Sequence, residues 1–326
     1  MEGARLTVKD VIRLANSVAS KPDYRNTLLA RAAQGLAQTG DVEGGMRIAT
    51  ELPSDSRASV MGNIALAQFE AGDEEGARRL TANALAVAET LTDNKKRAEA
   101  LYATVAATFK IDGVEASLRL ANRITNRDFR NYSFSTIAWY QAEGGDIDGA
   151  LNTIGRAEEK SRIHTLAFIA GQLAKAGDAQ GARRNMEAAV RFARNQSDGY
   201  FGGAPALATI VGNQAKMGDM TGARRTVDIM LSVIGSLEQD RRDGARAYLA
   251  GAHVWLGDVE GAFDAAHSHS DENSRNSALS SIAIAQAKTG AVEEGRRTAN
   301  RITDDTTRHY ALVGIARHLL EEKRQK

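Results

Sequence analysis

The sequence has no cysteine, only three prolines, and few aromatic residues, which make up 5% of its 326 residues. Without cysteine, the chain can form neither disulfides nor thiolate nucleophiles nor cysteine-containing zinc sites. No run of eighteen apolar residues occurs, so the sequence predicts no membrane-spanning helix. Lys plus Arg number 42 against 41 Asp plus Glu, so the whole chain has no charge bias toward nucleic acid or an anionic membrane.

The N-terminal stretch "MEGARLTVKDVIRLANSV" is not a secretion signal, because charges interrupt the region where such a signal needs an apolar core. Absence of cysteine is compatible with both cytoplasmic and periplasmic proteins. The compartment therefore stays open between the cytoplasm, which is favoured, and the periplasm, if a signal peptide was removed.

One phrase recurs along the chain: "IALAQFEAGDEEGARR" at 64–79 returns in altered form at 168, 209 and 281. Apolar residues lie four, seven and eight positions after a recurring arginine, and these spacings fall on one helical face. Each repeat therefore begins with an amphipathic helix, called helix A, of about fourteen residues. The nine segments begin at Arg25, Arg57, Arg97, Arg130, Arg162, Gly203, Arg242, Arg275 and Arg308.

A Gly-Asp pair follows helix A in most repeats, as at Gly72-Asp73 and Gly177-Asp178. Glycine can end one helix in a left-handed conformation, and aspartate can cap the next, called helix B. A small residue always lies twenty positions after the arginine, where it lets the two helices approach closely. Repeats two, five and six are longer by about eight residues, which predicts two more turns in helix B.

Such hairpins bury only one side and become stable by stacking in a one-dimensional array. The sequence predicts an all-α, αα-hairpin solenoid with about eighteen helices and no sheet, as a single domain over 1–326. It comprises a leading helix at 7–20, eight helical hairpins at about 24–305, and a closing helix at 308–323. The glycine-rich stretch "GYFGGAP" predicts a flexible joint at 196–205.

The repeats resemble tetratricopeptide repeats (TPR) in their Gly-Asp joint, the alanine that follows four residues after it, and a length of about 34 residues. They depart from that family in the middle of helix A, where glutamine replaces a large aromatic residue, and HEAT-type repeats are the alternative. The resemblance implies a right-handed superhelix whose A helices line a concave groove. The four glutamines are Gln68, Gln141, Gln214 and Gln286.

The resemblance implies that the groove is lined by positions 2, 5, 9, 12 and 13 after each repeat start. These positions hold an aromatic and apolar strip in the first repeats and a ladder of lysines in the later ones. Such a surface suits an extended, partly acidic peptide or protein segment. Aromatic residues that merely fill the core and lysines on a solvated face are the structural alternative. The residues are Leu66, Phe69, Tyr102, Phe109, Tyr132, Trp139, Lys175, Lys216, Trp255 and Lys288.

The recurring arginine is expected to hold each joint together, through carboxylates two to four residues earlier or the carbonyl end of the preceding helix B. A row of arginines that grips an anionic ligand is the alternative. The stretch "HSH" at 267–269 is a weak metal candidate, and a solvated helix end is the favoured interpretation.

No catalytic motif was found, and the sequence predicts a non-catalytic scaffold that binds a protein or peptide, with no cofactor and no metal. A ligand- or peptide-sensing regulatory solenoid, and behind it an α-solenoid enzyme, are the alternatives. Nucleic acid is not an expected partner, because the charge is balanced and the repeat length is irregular.

Overall fold

The structure is a computed structural model that describes residues 12, 15, 22–196, 203–269 and 271–325. This part of the chain forms sixteen helices and no strand, which confirms the predicted all-α hairpin fold. The helices are α1 (Pro22–Gln38), α2 (Val42–Thr50), α3 (Ser54–Glu70), α4 (Glu74–Glu89), α5 (Asn94–Arg123), α6 (Arg127–Glu143), α7 (Ile147–Ile154), α8 (Glu159–Lys175), α9 (Ala179–Arg194), α10 (Ala204–Lys216), α11 (Met220–Ser236), α12 (Gln239–Trp255), α13 (Val259–His267), α14 (Glu272–Lys288), α15 (Val292–Ala299) and α16 (Asp305–Gln325).

The helices alternate between helix A and helix B of successive repeats. The third repeat differs, because α5 contains both helices and is interrupted only at Gly113, whose φ is 80°. Its Asp-Gly order leaves no aspartate after the glycine to cap a separate helix. The predicted leading helix lies outside the described residues except for Ile12 and Ala15, which are helical. The predicted joint at 196–205 also lies largely outside them.

Helix B has two lengths, as the repeat spacing predicts. It has 16 residues in α4 and α9 and 17 in α11, but only 8 or 9 in α2, α7, α13 and α15. The difference of about eight residues is two helical turns. The three long B helices therefore extend two turns further than the short ones.

The Gly-Asp joints form as expected. Each has a glycine with φ between 77° and 94°, a conformation that other residues rarely adopt. The aspartate then accepts a hydrogen bond from the amide three residues later, as Asp178 does from Gly181 at 2.8 Å. A Cβ on Gly181 would overlap that carboxylate. The sequence pattern that identifies the whole joint is therefore Gly-Asp-x-x-Gly, in which the second glycine leaves space for the capping carboxylate.

The chain divides into two compact units, an N-terminal unit of residues 1–161 and a C-terminal unit of residues 162–326. In the first, α1, α3, α5 and α6 pack in succession; in the second, α10, α12, α14 and α16 do so. Helix B packs so closely on helix A that a Cβ on Gly45 would lie 2.6 Å from the Ala33 carbonyl oxygen. That the whole chain forms one continuous domain stays a prediction.

At four of the joints the recurring arginine binds to the backbone. Arg57 donates to the carbonyl of Leu52 at 3.0 Å, and Arg308 donates to that of Ile302 at 3.0 Å. Arg130 and Arg242 make the same bond to Ile124 and Leu237. Each accepting residue lies just after the C-terminal end of the preceding helix B. These four arginines therefore connect one repeat to the next.

Three of the carboxylates before the arginines have another partner, which corrects one part of the expectation. Asp93, Asp271 and Asp304 cap the next helix A by accepting hydrogen bonds from its first amides. Their proximity to arginine in the sequence therefore reflects capping. Side chains are the partners at other joints: Arg25 pairs with Glu51 at 3.4 Å, and Arg97 donates to Asn94 at 2.6 Å. Arg308 also pairs with Asp305, a carboxylate three residues earlier.

The glutamine of helix A belongs to a buried polar network instead of filling the place of an aromatic residue. Gln141 donates to the capping carboxylate of Asp146 at 2.9 Å and accepts from the Thr153 hydroxyl at 2.7 Å. The hydroxyls of Thr226 and Thr298 bind Gln214 and Gln286 in the same way. This network joins helix A, the joint and helix B within a repeat.

Candidate functional site

A groove with a volume of about 780 Å³ crosses the A helices of the C-terminal unit. Three successive A helices, α10, α12 and α14, contribute residues at the same four positions of the repeat. These residues are Pro205, Ala208, Gly212 and Lys216; Gly244, Ala247, Gly251 and Trp255; and Ser277, Ser280, Ile284 and Lys288. The positions are 2, 5, 9 and 13 after the repeat start, as the predicted groove register requires.

The middle of this groove is built around Trp255. Gly212 on α10 lies so close to the indole that a Cβ there would be 3.0 Å from its Cε2 and Nε1 atoms. The ammonium group of Lys216 lies 5.4 Å from the centre of the same ring, which is a cation–π distance. The small side chain at Gly212 thus makes the space that the indole occupies.

The groove of the C-terminal unit is cationic. Lys216 and Lys288 are both exposed, and they occupy equivalent positions on α10 and α14. Among the described residues that line the groove, none is aspartate or glutamate. Its remaining polar lining consists largely of hydroxyl groups, such as those of Thr209 and Ser281.

The N-terminal unit has a different groove, of about 680 Å³, along α1, α3 and α5. Its lining has charges of both signs, including Asp23, Arg31 and Glu99. Lys96 binds Asp55 at 2.6 Å, and this hydrogen bond holds the pKa of the Asp55 carboxyl below its ordinary value. The charges here are therefore already partly neutralised within the chain.

The aromatic residues of the N-terminal unit form two ring clusters. In the first, the ring centres of Tyr102, Phe129 and Tyr132 lie 5.9 to 6.2 Å apart. In the second, Tyr140 stacks on Phe109 at 5.4 Å and meets Trp139 edge-on at 5.0 Å.

Two members of these clusters, Phe129 and Tyr140, were missed by sequence reasoning because they lie outside the assumed groove positions. The sequence could have indicated Tyr140, because it directly follows the predicted site residue Trp139. Burial raises the pKa of Tyr140 to about 12. This cluster is therefore partly a packing feature.

The structure brings only some of the predicted site residues together. Lys216, Trp255 and Lys288 share the groove of the C-terminal unit, whereas Lys175 is exposed and does not line it. Tyr102 is the one predicted residue that lines the groove of the N-terminal unit. Leu66 is half-buried against the hydrophobic core, and Phe69 is also half-buried.

The "HSH" stretch differs from the expected solvated helix end. His267 is exposed, but His269 is 3% exposed, and neither of its ring nitrogens has a hydrogen-bond partner among the described residues. In that same part of the chain, no group of three or more histidine, aspartate or glutamate residues is arranged to hold a metal ion. Nor does any helix described there have the length and apolarity to cross a membrane.

The fold and the grooves define a helical-repeat protein. No family model matches the chain, and no curated protein matches it. Among solved structures, it is similar to Ton1535 from Thermococcus onnurineus NA1, with 16% identity over 88% of this chain and 98% of the other and a TM-score of 0.32. It is also similar to a circular tandem repeat protein with novel repeat topology and enhanced subunit contact surfaces. In that case the identity is 14%, the coverage 99% and 82%, and the TM-score 0.25.

Proposed function

We propose that this chain is a non-catalytic scaffold of the tetratricopeptide type that binds an extended, acidic protein segment in the groove of its C-terminal unit. One observation carries the proposal: Lys216 and Lys288 flank Trp255 in a groove whose described lining has no carboxylate. Lysines can attract and orient acidic side chains, while the indole supplies an apolar anchor. Small residues such as Gly251 and Ala247 leave space for a peptide backbone.

The register of the two lysines sets the spacing of the acidic residues. They lie on α10 and α14, with α12 between them, and packed helices are roughly 8–10 Å apart. The axes of the two helices that carry the lysines are therefore separated by roughly 16–20 Å. An extended peptide covers this distance with about five or six residues. The preferred segment thus has two acidic residues at that spacing and an apolar residue midway.

A labelled peptide of this pattern tests the proposal by fluorescence anisotropy. Trp255→Ala should weaken binding by about ten-fold or more, since anchor residues contribute about 2 kcal/mol. Lys216→Ala and Lys288→Ala should each weaken it by less than about five-fold and reduce its dependence on salt. Lys175→Ala, an exposed lysine outside the groove, is the control and should change nothing. Equal affinity of the Lys216→Ala/Lys288→Ala protein and the unchanged protein would overturn the proposal.

A matched pair of glycines separates groove shape from general stability. Gly212→Ala places a methyl group against the indole of Trp255 and should both displace the ring and weaken the peptide. Gly171→Ala changes the same repeat position on α8, where nothing lies within 4 Å of the new methyl group. Only the first substitution should alter tryptophan fluorescence and peptide affinity. If both leave affinity unchanged, the peptide does not contact Trp255.

A further inference from the structure

Four repeats carry a pair of arginines near the start of helix B, but the pair has two different environments. In "GDEEGARR" at 72–79, Arg78 pairs with Asp112 of the next repeat and with Glu74 at 3.4 Å, and Arg79 pairs with Glu75. In "GAVEEGRR" at 290–297, two glutamates again precede and neutralise the arginines, at 3.3 and 2.6 Å. These two repeats therefore show how glutamates of the same helix neutralise an arginine pair, and the other two repeats can be compared with them.

Repeats five and six lack these glutamates. The sequences "GDAQGARR" and "GDMTGARR" have Ala179-Gln180 and Met220-Thr221 in their place. Their arginines are all exposed, and none forms an ion pair within the described part of the C-terminal unit. Helices α9 and α11 are neighbours, so the two pairs belong to one surface. We call it the arginine edge: Arg183, Arg184, Arg224 and Arg225.

The arginine edge also carries exposed apolar side chains. Met220 is 36% exposed and Leu231 is 48% exposed. Both share a face of α11 with Arg224, because residues four and eleven positions apart align along a helix. Arginines near the positive end of a helix dipole are unfavourable unless an anion compensates them. In repeats two and eight a glutamate of the same helix pairs with each arginine, whereas in repeats five and six the capping residues Asp178 and Asp219 are the acidic residues at the start of the helix.

We infer that the arginine edge is a second docking surface, which binds an acidic amphipathic helix of another protein. The partner's carboxylates would take the place that Glu74 and Glu75 have beside Arg78 and Arg79, and its apolar side would cover Met220 and Leu231. This surface lies on B helices, so it is independent of the groove formed by the A helices.

The charge pattern favours a protein over nucleic acid. Glu187 and Asp228 are exposed one turn after Arg183 and Arg224 and would repel a phosphate backbone. A protein helix can place a lysine or an apolar residue opposite those carboxylates. Exposed Met220 and Leu231 likewise match apolar side chains better than phosphates. Arg224 has one carboxylate of the chain near it: after the Gly261 amide and the His253 ring, it helps to lower the pKa of Asp258.

The test restores the missing glutamates. Gln180→Glu/Thr221→Glu gives Arg184 and Arg225 the partner that Glu75 gives Arg79, while every arginine is kept. Glutamate near a helix N-terminus is favourable, so the protein should stay folded. The control, Gln239→Glu/Asn273→Glu, makes the same charge change at exposed first turns of α12 and α14.

The probe is a labelled peptide of about 18 residues with glutamate and leucine at helical spacing, long enough to form a helix. We expect the restored glutamates to weaken its binding by about ten-fold and the control to leave it unchanged. Lys216→Ala/Lys288→Ala should also leave it unchanged, which separates this surface from the groove.

Comparison ligands decide between partner classes. A lysine version of the peptide, a short DNA duplex and phosphatidylserine vesicles should all bind more weakly than the acidic peptide. The inference fails if the acidic peptide does not bind, if the restored glutamates leave its affinity unchanged, or if DNA or vesicles bind more tightly.

Discussion

The Thr153 hydroxyl on α7 donates a 2.7 Å hydrogen bond to Oε1 of Gln141 on α6, and both side chains are at most 5% exposed. The amide nitrogen of Gln141 in turn binds the capping carboxylate of Asp146. One side chain of helix A thus binds two partners, Asp146 in the joint and Thr153 on helix B. Because the group is buried, its hydrogen bonds should matter more for stability than those of exposed polar residues.

Thr153→Val removes this donor while keeping the shape of the side chain. Leaving the buried Gln141 oxygen without a partner should lower the free energy of unfolding by about 1–3 kcal/mol. The matched control is Thr81→Val, since Thr81 is equally buried but its hydroxyl has no partner among the described residues. That change should be close to neutral. Urea unfolding of both variants checks the prediction, and equal losses of stability would contradict it.

His269 occupies the joint position that Leu52, Ile124 and Ile302 fill in other repeats. Burial lowers the pKa of His269, with smaller and opposing effects from Asp243 and Arg246 on α12 and from Asp271 and Arg275 at α14. The folded protein therefore binds this proton less readily than the unfolded chain does. The free energy of unfolding should decrease as the pH falls below about 6.5 and continue to decrease down to the folded-state pKa.

Replacing this side chain isolates its share of the pH dependence. His269→Leu restores the residue type found at Leu52 and should gain stability relative to the unchanged protein between pH 7.5 and 5.5. His309→Leu, at an exposed histidine, is the control and should follow the unchanged protein. Urea unfolding at both pH values gives the difference. A His269→Leu protein with the original pH dependence would show that His269 binds its proton equally well in the folded and unfolded states.

Asp178 and Gly181 should be energetically coupled at their joint. Asp178→Ala removes a helix cap and should cost about 0.5–2 kcal/mol. Gly181→Ala should destabilise the unchanged protein, because its three nearest neighbours would all be atoms of the Asp178 side chain. In the Asp178→Ala background the same change should become stabilising, by about 0.5–1 kcal/mol, since alanine favours a helix over glycine. A double-mutant cycle by thermal unfolding measures the sign reversal; additive effects would contradict the coupling.

The features predicted best from the sequence are those decided within one repeat. The left-handed conformation of Gly177 and the cap made by Asp178 depend on nearby residues, and both formed as expected. The buried face was also readable, because Ile64 and Ile282 recur at helical spacing and are fully buried. Such features need no knowledge of how one helix crosses another.

Features that depend on contacts between repeats were harder to predict. The lengths of the chain segments allow Arg57 to reach either a carboxylate or a backbone carbonyl. Only the packing between repeats determines that it donates its hydrogen bond to the Leu52 carbonyl. Phe129 joins Tyr102 through the crossing of α5 and α6, which the repeat register does not specify. His269 was expected in solvent because it lies where a helix B ends, but its joint position determines its burial. The role of the N-terminal aromatic strip in binding stays a prediction.

The hydrogen bond from Arg57 to Leu52 gives the repeat boundary an unexpected property. A single hairpin contains the arginine that donates to the carbonyl at the end of the preceding hairpin. The carbonyl at its own end binds the arginine of the next hairpin. The smallest piece with a finished joint is therefore three helices, namely a hairpin and the next helix A. Excision or grafting of repeats should use that three-helix module, because cuts at the hairpin ends leave a carbonyl without its donor.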